Sequence, residues 1–155
     1  MISMKTTELP REPVQCVIFR AGGCRHALPI EAVREILMPA GSLNPASGAP
    51  HGVLGLMQVR GAALPVIDLA RRLDLGRAEP TPDGRLVVVV AGGEMAALLV
   101  DDVDEVVTVP PAGFELVHLP GGSAHLVLKR HDSLVGWLDP AATIAADDEN
   151  EVLAA

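Results

Sequence analysis

The residues in this chain that could do chemistry are few, and their spacing argues against most chemistries. The five histidines, His26, His51, His118, His125 and His131, contain no HxxxH or HxH pair. No two of them therefore have the ligand spacing of a zinc site. His118 and His125 flank a Gly-Gly turn and would meet across a hairpin, but exposed loop histidines are the plainer expectation. Asp101, Asp102, Asp104 and Glu105 imitate the opening of a calcium loop. The glycine and the closing glutamate of such a loop are missing, so the cluster reads as a solvated acidic face that starts a helical turn. No GxxxxGK[ST] or GxGxxG cradle occurs, and Ser123 and Ser133 sit in no GxSxG elbow. Cys16 and Cys24 form no CxxC pair. A turn at Gly22-Gly23 would set Cys16 opposite Pro29, so two small buried thiols are expected and no disulfide. One arginine is left over. Arg60 stands with Gly61 in GLMQVRGAALPVIDL, residues 55–69. With no nucleophile or base around it, its planar fork of donors suits recognition of another protein.

The elements that hold Arg60 follow from the pattern around it. The chain has 155 residues, 49% of them hydrophobic, and a formal net charge of −8. That length supports one domain or two small lobes with a sizeable core. The negative charge excludes a phosphate-neutralising face, so no nucleic acid is expected. Phe19, Phe114 and Trp137 are the only aromatics, which removes base-stacking platforms. No stretch is long and apolar enough for a bilayer span, so no direct membrane insertion is expected. Residues 1–13 carry no apolar signal region and read as a loose arm; residues 147–155 read as an acidic tail.

The chain is written twice, weakly, at an offset of 70. Ala21-Gly22-Gly23 recurs as Ala91-Gly92-Gly93, and Leu28, Val33, Glu35 and Ile36 match Leu98, Val103, Glu105 and Val106. Carried further, the offset matches Leu56, Arg60 and Leu64 to Leu126, Arg130 and Leu134. Each half, roughly 14–76 and 85–146, opens with β-branched strands around a Gly-Gly hairpin. EAVREIL and DDVDEVV then bend the chain through a helical turn or an irregular strand. A Pro/Gly-rich loop without regular structure follows, then a second hairpin and a short helix. LARRLDLG starts after Asp68 and stops at Gly76, and PAATIAA starts after Asp139 with Pro140 leading. A fold class follows that is mainly β: two small barrels with short helices, packed together and exchanging strands.

Within the first closing hairpin, the period of two sets Leu54, Leu56, Gln58 and Arg60 on one face and Gly55, Met57 and Val59 on the other. Arg60 then stands outside the core. It either anchors an interface, or solvates the hairpin tip, or pairs with Asp68 or Asp74. Pro65 implies an edge or a bulge. Gly55 invites a close backbone approach.

These residues resemble a known family. G-L-M-Q-V-R-G-A-A-L-P-V-I-D-L is similar to the signature hairpin of the CheW-like coupling proteins of bacterial chemotaxis. VIFRAGGCRHALPIEAVREI and LVVVVAGGEMAALLVDDVDEVV resemble the family's other strands, so that the likeness spans residues 14–146. It implies two intertwined five-stranded SH3-like barrels and a cytoplasmic, non-enzymatic adaptor without cofactor. The implied partners are the cytoplasmic tip of a chemoreceptor and the regulatory domain of a CheA-type histidine kinase, itself a two-barrel domain. The matching partner-binding positions are Val33, Glu35, Ile36, Gly55, Arg60 and Gly61. Kinase contact is placed at barrel ends, around residues 40–43 and the other barrel's hairpin. Gln58, the missing glycine before HLVLKRHD and the final LDPAATI depart from the family pattern. They raise the alternative of a paralogue acting as scaffold or competitor in another receptor–kinase pathway, such as twitching motility or cyclic-dinucleotide control. A small metal-dependent enzyme is the remote alternative.

Overall fold

The structure, a computed structural model, describes residues 8–39, 41–46, 48–78 and 81–145; the expected tail at 147–155 and part of the expected arm lie outside them. Among the described residues, eleven strands and two short α-helices follow one another along the chain. The first half contributes β1 (Val14–Ala21), β2 (Cys24–Pro29), β3 (Val33–Leu37), β4 (Val53–Val59), β5 (Ala62–Asp68) and α1 (Leu69–Arg72). The second contributes β6 (Arg85–Ala91), β7 (Glu94–Val100), β8 (Asp102–Val109), β9 (Phe114–His118), β10 (Ala124–Arg130), β11 (Ser133–Trp137) and α2 (Pro140–Ala145).

The halves do not fold side by side. One sheet runs β8-β1-β2-β11-β10-β9 and the other β3-β6-β7-β5-β4. Each half gives its opening hairpin to the other half's sheet, so the boundaries 14–76 and 85–146 divide the sequence but not the barrels. We call the six-stranded unit barrel A and the five-stranded one barrel B. The swap is reciprocal: Trp137 pairs parallel with Ala27, and Val66 with Ala97.

Burial explains why the opening strands are unbroken apolar runs. On β1, Cys16 and Ile18 face the core of barrel A, while Val17, Phe19 and Ala21 face a shared core between the barrels. On β6, Leu86 and Val88 face the core of barrel B, and Val87 and Val89 the shared core. Strands buried on both faces lose the polar alternation of a half-exposed strand.

Several expectations needed correction. The expected loop at 110–123 contains a single helical turn and β9, and the acidic cluster lies on strand β8 rather than at a helix start. Pro110 and Gly113 read as loop signals, yet Phe114 is drawn into barrel A's core. In the first half Asn44 makes the corresponding bridge, to Leu56, the only one among the described residues. β5 lies between β7 and β4 rather than at an edge. Pro65 is tolerated because the parallel rungs to β7 begin one residue later, at Val66. Leu54 leaves its expected outward face and packs on barrel B's core, because β4 shifts register between Val53 and Gly55.

The repeat is also exact only in part. Its offset is 70 as far as β3 and β8, where Arg34 and Asp104 are skipped by equivalent bulges. In the closing hairpins it becomes 71: the turn residues are Arg60 and Gly61 in one half and His131 and Asp132 in the other, all with positive φ. The matches Leu56/Leu126, Arg60/Arg130 and Leu64/Leu134 are therefore not structural equivalents. A slip of one residue moves a side chain to the opposite face of its strand. Leu126 is 1% exposed where Leu56 is 37%, and Leu134 is 62% exposed where Leu64 is 6%.

Candidate functional site

Arg60 and Gly61 close the β4–β5 hairpin with φ of 50° and 82°. Positive φ at both central residues makes the tight turn that matches strand twist. Gly61 adopts it without steric cost, and an added Cβ there would meet nothing within 4 Å. Arg60 adopts it despite its side chain, which is carried across to β3. Its Nε donates to both carboxylate oxygens of Glu35, at 3.1 and 2.9 Å, and its Nη2 donates to Oε1 at 2.8 Å. Neither Asp68 nor Asp74 is its partner. Asp68 caps α1 by accepting from the Arg71 backbone N–H, and Asp74 pairs with His51.

Two parallel contacts of this kind fix the plane of a guanidinium as well as its position. The Arg60 side chain is nevertheless 74% exposed, against 23% for Glu35. The hydrogen bonds from Arg60 hold the Glu35 carboxyl below its ordinary value, and Glu35 in turn raises Arg60. The result is an oriented, permanently charged fork at the surface. Its outward N–H groups remain available to an incoming acceptor.

β3 connects this fork to the space between the barrels. Val33 packs against the shared core, and Leu37 against the core of barrel B. Ile36 points outward and is 37% exposed. Val33 and Ile36 thus lie on the face of β3 that the shared core adjoins, while Glu35 lies on the opposite face, where it holds Arg60. Gly55 is placed differently. It is buried, and a Cβ there would come 2.4 Å from the Asn44 carbonyl oxygen. Asn44 exchanges two backbone hydrogen bonds with Leu56, at 2.9 and 2.8 Å. The close approach expected at Gly55 is thus made by this chain's own loop. The exposed apolar side chain of Met38, missed by the sequence reading, and that of Leu56 join Leu43 of the expected kinase-contact stretch on the outer surface of barrel B. Leu56 lies on the outward face expected for it, shared with Arg60. Of the expected kinase-contact stretch, Ala40 lies outside the described residues.

The pseudo-equivalent face of barrel A is built otherwise. Arg130 donates from Nη2 to Glu105 at 2.7 Å. Arg25 reaches both Asp104, at 3.0 Å, and Glu105, at 3.4 Å, and Arg20 adds a second contact to Asp104 at 3.1 Å. This network engages Asp104 and Glu105 of the acidic cluster that the sequence suggested was solvated. Burial pushes the nearby Cys16 thiol up to about 11, so it stays protonated; Cys24 is exposed rather than buried, and both thiols are free.

His118 and His125 lie on adjacent rungs, opposite Ala124 and Val117, and so face opposite sides of the sheet. Among the described residues, no group of three or more His, Cys, Asp and Glu is placed to hold a metal, and no helix is long and apolar enough to cross a membrane.

Comparison with known proteins bears on this geometry. A family model described as a CheW-like domain matches residues 15–148. A chemotaxis protein CheW of Rhizobium meliloti (strain 1021) is 37% identical over 98 residues, 61% of each chain. Protein FrzA of Myxococcus xanthus is 38% identical over 106 residues, 68% of this chain and 66% of that one. The chain thus spans less than two thirds of the length of these curated relatives. The crystal structure of the scaffolding protein TtCheW from Thermoanaerobacter tengcongensis superposes with a TM-score of 0.70 at 26% identity, covering 81% of this chain and 88% of that one.

Proposed function

The chain belongs to the CheW-like domain family, and from that premise we propose that it is a non-catalytic adaptor joining the cytoplasmic tip of a chemoreceptor to a CheA-type histidine kinase. The observation that carries this reading is the exposed guanidinium of Arg60, pre-oriented by Glu35, with outward Ile36 on the opposite face of the same strand. Arginine and apolar side chains are usual anchors at protein interfaces. A helical receptor tip entering between the barrels would meet Val33 and Ile36 first, and Arg60 at the rim. Gly55 contributes by letting the Asn44 loop lie flat beneath that rim. The kinase's regulatory domain, a two-barrel domain in this family, would pack on the barrel ends near Leu43.

Pull-down with a receptor cytoplasmic tip and a CheA-type kinase, paired with a kinase-activation assay, tests the reading. Arg60→Glu and Ile36→Asp should each weaken receptor capture by roughly tenfold or more, with an unchanged circular-dichroism spectrum. An unfolded Arg60→Glu variant would make the arginine structural, and wild-type chain that captures neither partner would end the proposal. A second reading, a paralogue that scaffolds or competes in another receptor–kinase pathway, draws support from the departures at Gln58 and in the final LDPAATI. Such a protein would bind the receptor tip yet lower kinase activation when added to a working complex.

A further inference from the structure

The hairpin that carries Arg60 is built on an edge. In barrel A, β10 lies between β11 and β9 and pairs with β9 from Ala124 to Leu128. In barrel B, β4 ends its sheet, and its outer side meets the chain at the Asn44–Leu56 bridge. A strand held mainly from one side belongs to the part of a fold that opens at low cost. Its tip is secured by the fork from Arg60 to Glu35 on β3, the strand at the opposite end of the same sheet. Its root is secured by a different arginine.

Arg72, on α1, is 1% exposed. Its Nε donates to the carbonyl of His51, two residues before β4 begins, at 2.6 Å. Its Nη1 donates to the carbonyl of Thr143 in α2. The carbonyls of a helix's last turn lack donors within the helix, and a cation beside them is favoured. Gly52 is shaped for the same contact. Its φ is 86°, and a Cβ there would lie 3.1 Å from the Arg72 backbone nitrogen. Glycine thus lets the root of the hairpin lie against α1, while the Gly52 carbonyl accepts from the Asp68 N–H at 2.8 Å.

The internal repeat sharpens the point. At the offset of 71, the helix caps Asp68 and Asp139 are equivalent, and so are Arg72 and Thr143. Arg72 therefore grips the main chain of its own counterpart. The Thr143 hydroxyl is turned back to the Asp139 carbonyl, at 2.7 Å. The clasp runs one way, from the half that presents Arg60 to α2, and α2 packs on β6 and β7 of barrel B.

We propose that Arg72 is a positioning residue for the Arg60 fork. It joins α2 and the root of the β4–β5 hairpin into one unit that opens and closes together, so that α2 must be seated for Arg60 to keep its place against Glu35. The clasp is a property of the chain alone; its bearing on a partner rests on the adaptor reading of Arg60.

Native-state amide exchange of the full wild-type chain tests the clasp directly. The N–H groups of Val53, Asp68 and Thr143 are all bonded to main-chain carbonyls. They should exchange through one shared opening, easier than that of the β1 and β6 amides. Separate openings for Asp68 and Thr143 overturn the proposal, even if no Arg72 variant folds. Arg72→Lys keeps the charge but replaces the planar fork by a single ammonium. It should speed exchange of the three amides by about tenfold or more and move the Arg60 Nε–H resonance toward that of a free arginine. The β9–β10 amides should keep their rates. Acceleration spread evenly over all amides would make Arg72 an ordinary core residue, and an unmoved Arg60 resonance would uncouple α2 from the fork. Capture of a receptor cytoplasmic tip separates the two readings. A wild-type chain with the shared opening but no capture keeps the clasp and ends the adaptor reading, whereas wild-type capture left unchanged by Arg72→Lys removes the clasp from partner binding.

Discussion

The two barrels carry the same glutamate and recruit an arginine to it from different places. Glu35 and Glu105 follow equivalent bulges on β3 and β8. Arg60 reaches Glu35 from the first position of a hairpin turn, in the left-handed backbone region. Arg130 reaches Glu105 from the last residue of β10, one position earlier, where barrel B has Val59. Arg60 is 74% exposed and Arg130 only 23%, and the Arg130 Nε is buried without a hydrogen-bond partner among the described residues. A shift of one residue thus converts an outward fork into an inward brace. Barrel A spends its charges on itself, whereas barrel B leaves one oriented charge for something else.

The sharpest way to break this comparison lies in the leucines. If the offset of 71 holds, Leu126→Ala empties a core position and costs about 2–5 kcal/mol. Leu56→Ala removes a partly exposed side chain and stays within about 1 kcal/mol. Urea unfolding of the two variants decides between the registers, since equal losses would restore the offset of 70 and make the two arginines equivalent.

The opening hairpins offer the next largest contrast. Gly22 and Gly92 are equivalent, with φ of 63° and 59°. A Cβ at Gly22 would lie 2.4 Å from the Leu75 Cβ, while one at Gly92 meets nothing within 4 Å. Gly92→Ala therefore carries only the backbone penalty, about 1–2 kcal/mol. Gly22→Ala adds the displacement of the segment after α1, for about 2–5 kcal/mol in all. Denaturant midpoints that moved equally would show that Leu75 yields freely.

The repeat, the Gly-Gly turns, the helix starts after Asp68 and Asp139 and the Cys16–Pro29 register were legible because each is a local rule: glycine tolerates positive φ, and aspartate accepts from a helix's first N–H groups. The expected stop at Gly76 was not: α1 ends at Arg72, with Leu73 as its C-cap. The strand exchange was expected, but its partners were not. Which hairpin joins which sheet depends on contacts between residues far apart in sequence. The slip from 70 to 71 was hidden because leucines and arginines happen to recur at the wrong offset, and only the turn residues reveal it. Arg60 and Glu35 were both singled out, Glu35 through the family likeness; their pairing was not, because it crosses the closed barrel rather than following the chain. Gly55 was read correctly as a point of close approach, but the approaching group belongs to this chain.

Arg130 gives a smaller effect that sharpens the main contrast. Arg130→Ala leaves Glu105 with only its longer contact to Arg25 and should cost about 1–3 kcal/mol. Arg60→Ala should leave the urea midpoint nearly unmoved, because its fork is solvated. The double variant R130V/H131R rebuilds barrel A on barrel B's plan, with valine inward and arginine in the turn. It should recover most of the stability lost in Arg130→Ala. Failure to recover would mean that the network, and not the position of the arginine, distinguishes the two faces.

The smallest contrast concerns protons. His26 on β2 occupies the place that Ala96 holds on β7, and both are buried. The His26 ring lies 6.2 Å from that of Phe19, and its Nε2 is 3.3 Å from the Ala21 carbonyl oxygen. Burial lowers its pKa from the ordinary 6.5, with the Ala21 contact opposing the shift. The folded chain therefore binds a proton less readily than the unfolded one. Stability is full above the ordinary histidine value and falls as pH drops through the window between that value and the lowered one; below both it falls no further. The Glu35 contribution has a separate window, because it is lost only as pH falls through that group's own depressed value. Only the histidine's half carries the higher window, so His26→Ala, which makes the halves alike, should flatten the urea midpoint between about pH 7 and pH 5 while leaving the more acidic loss in place. A midpoint that still falls across that upper range in the variant would move the titration to another group and leave the two hairpins equal in this respect.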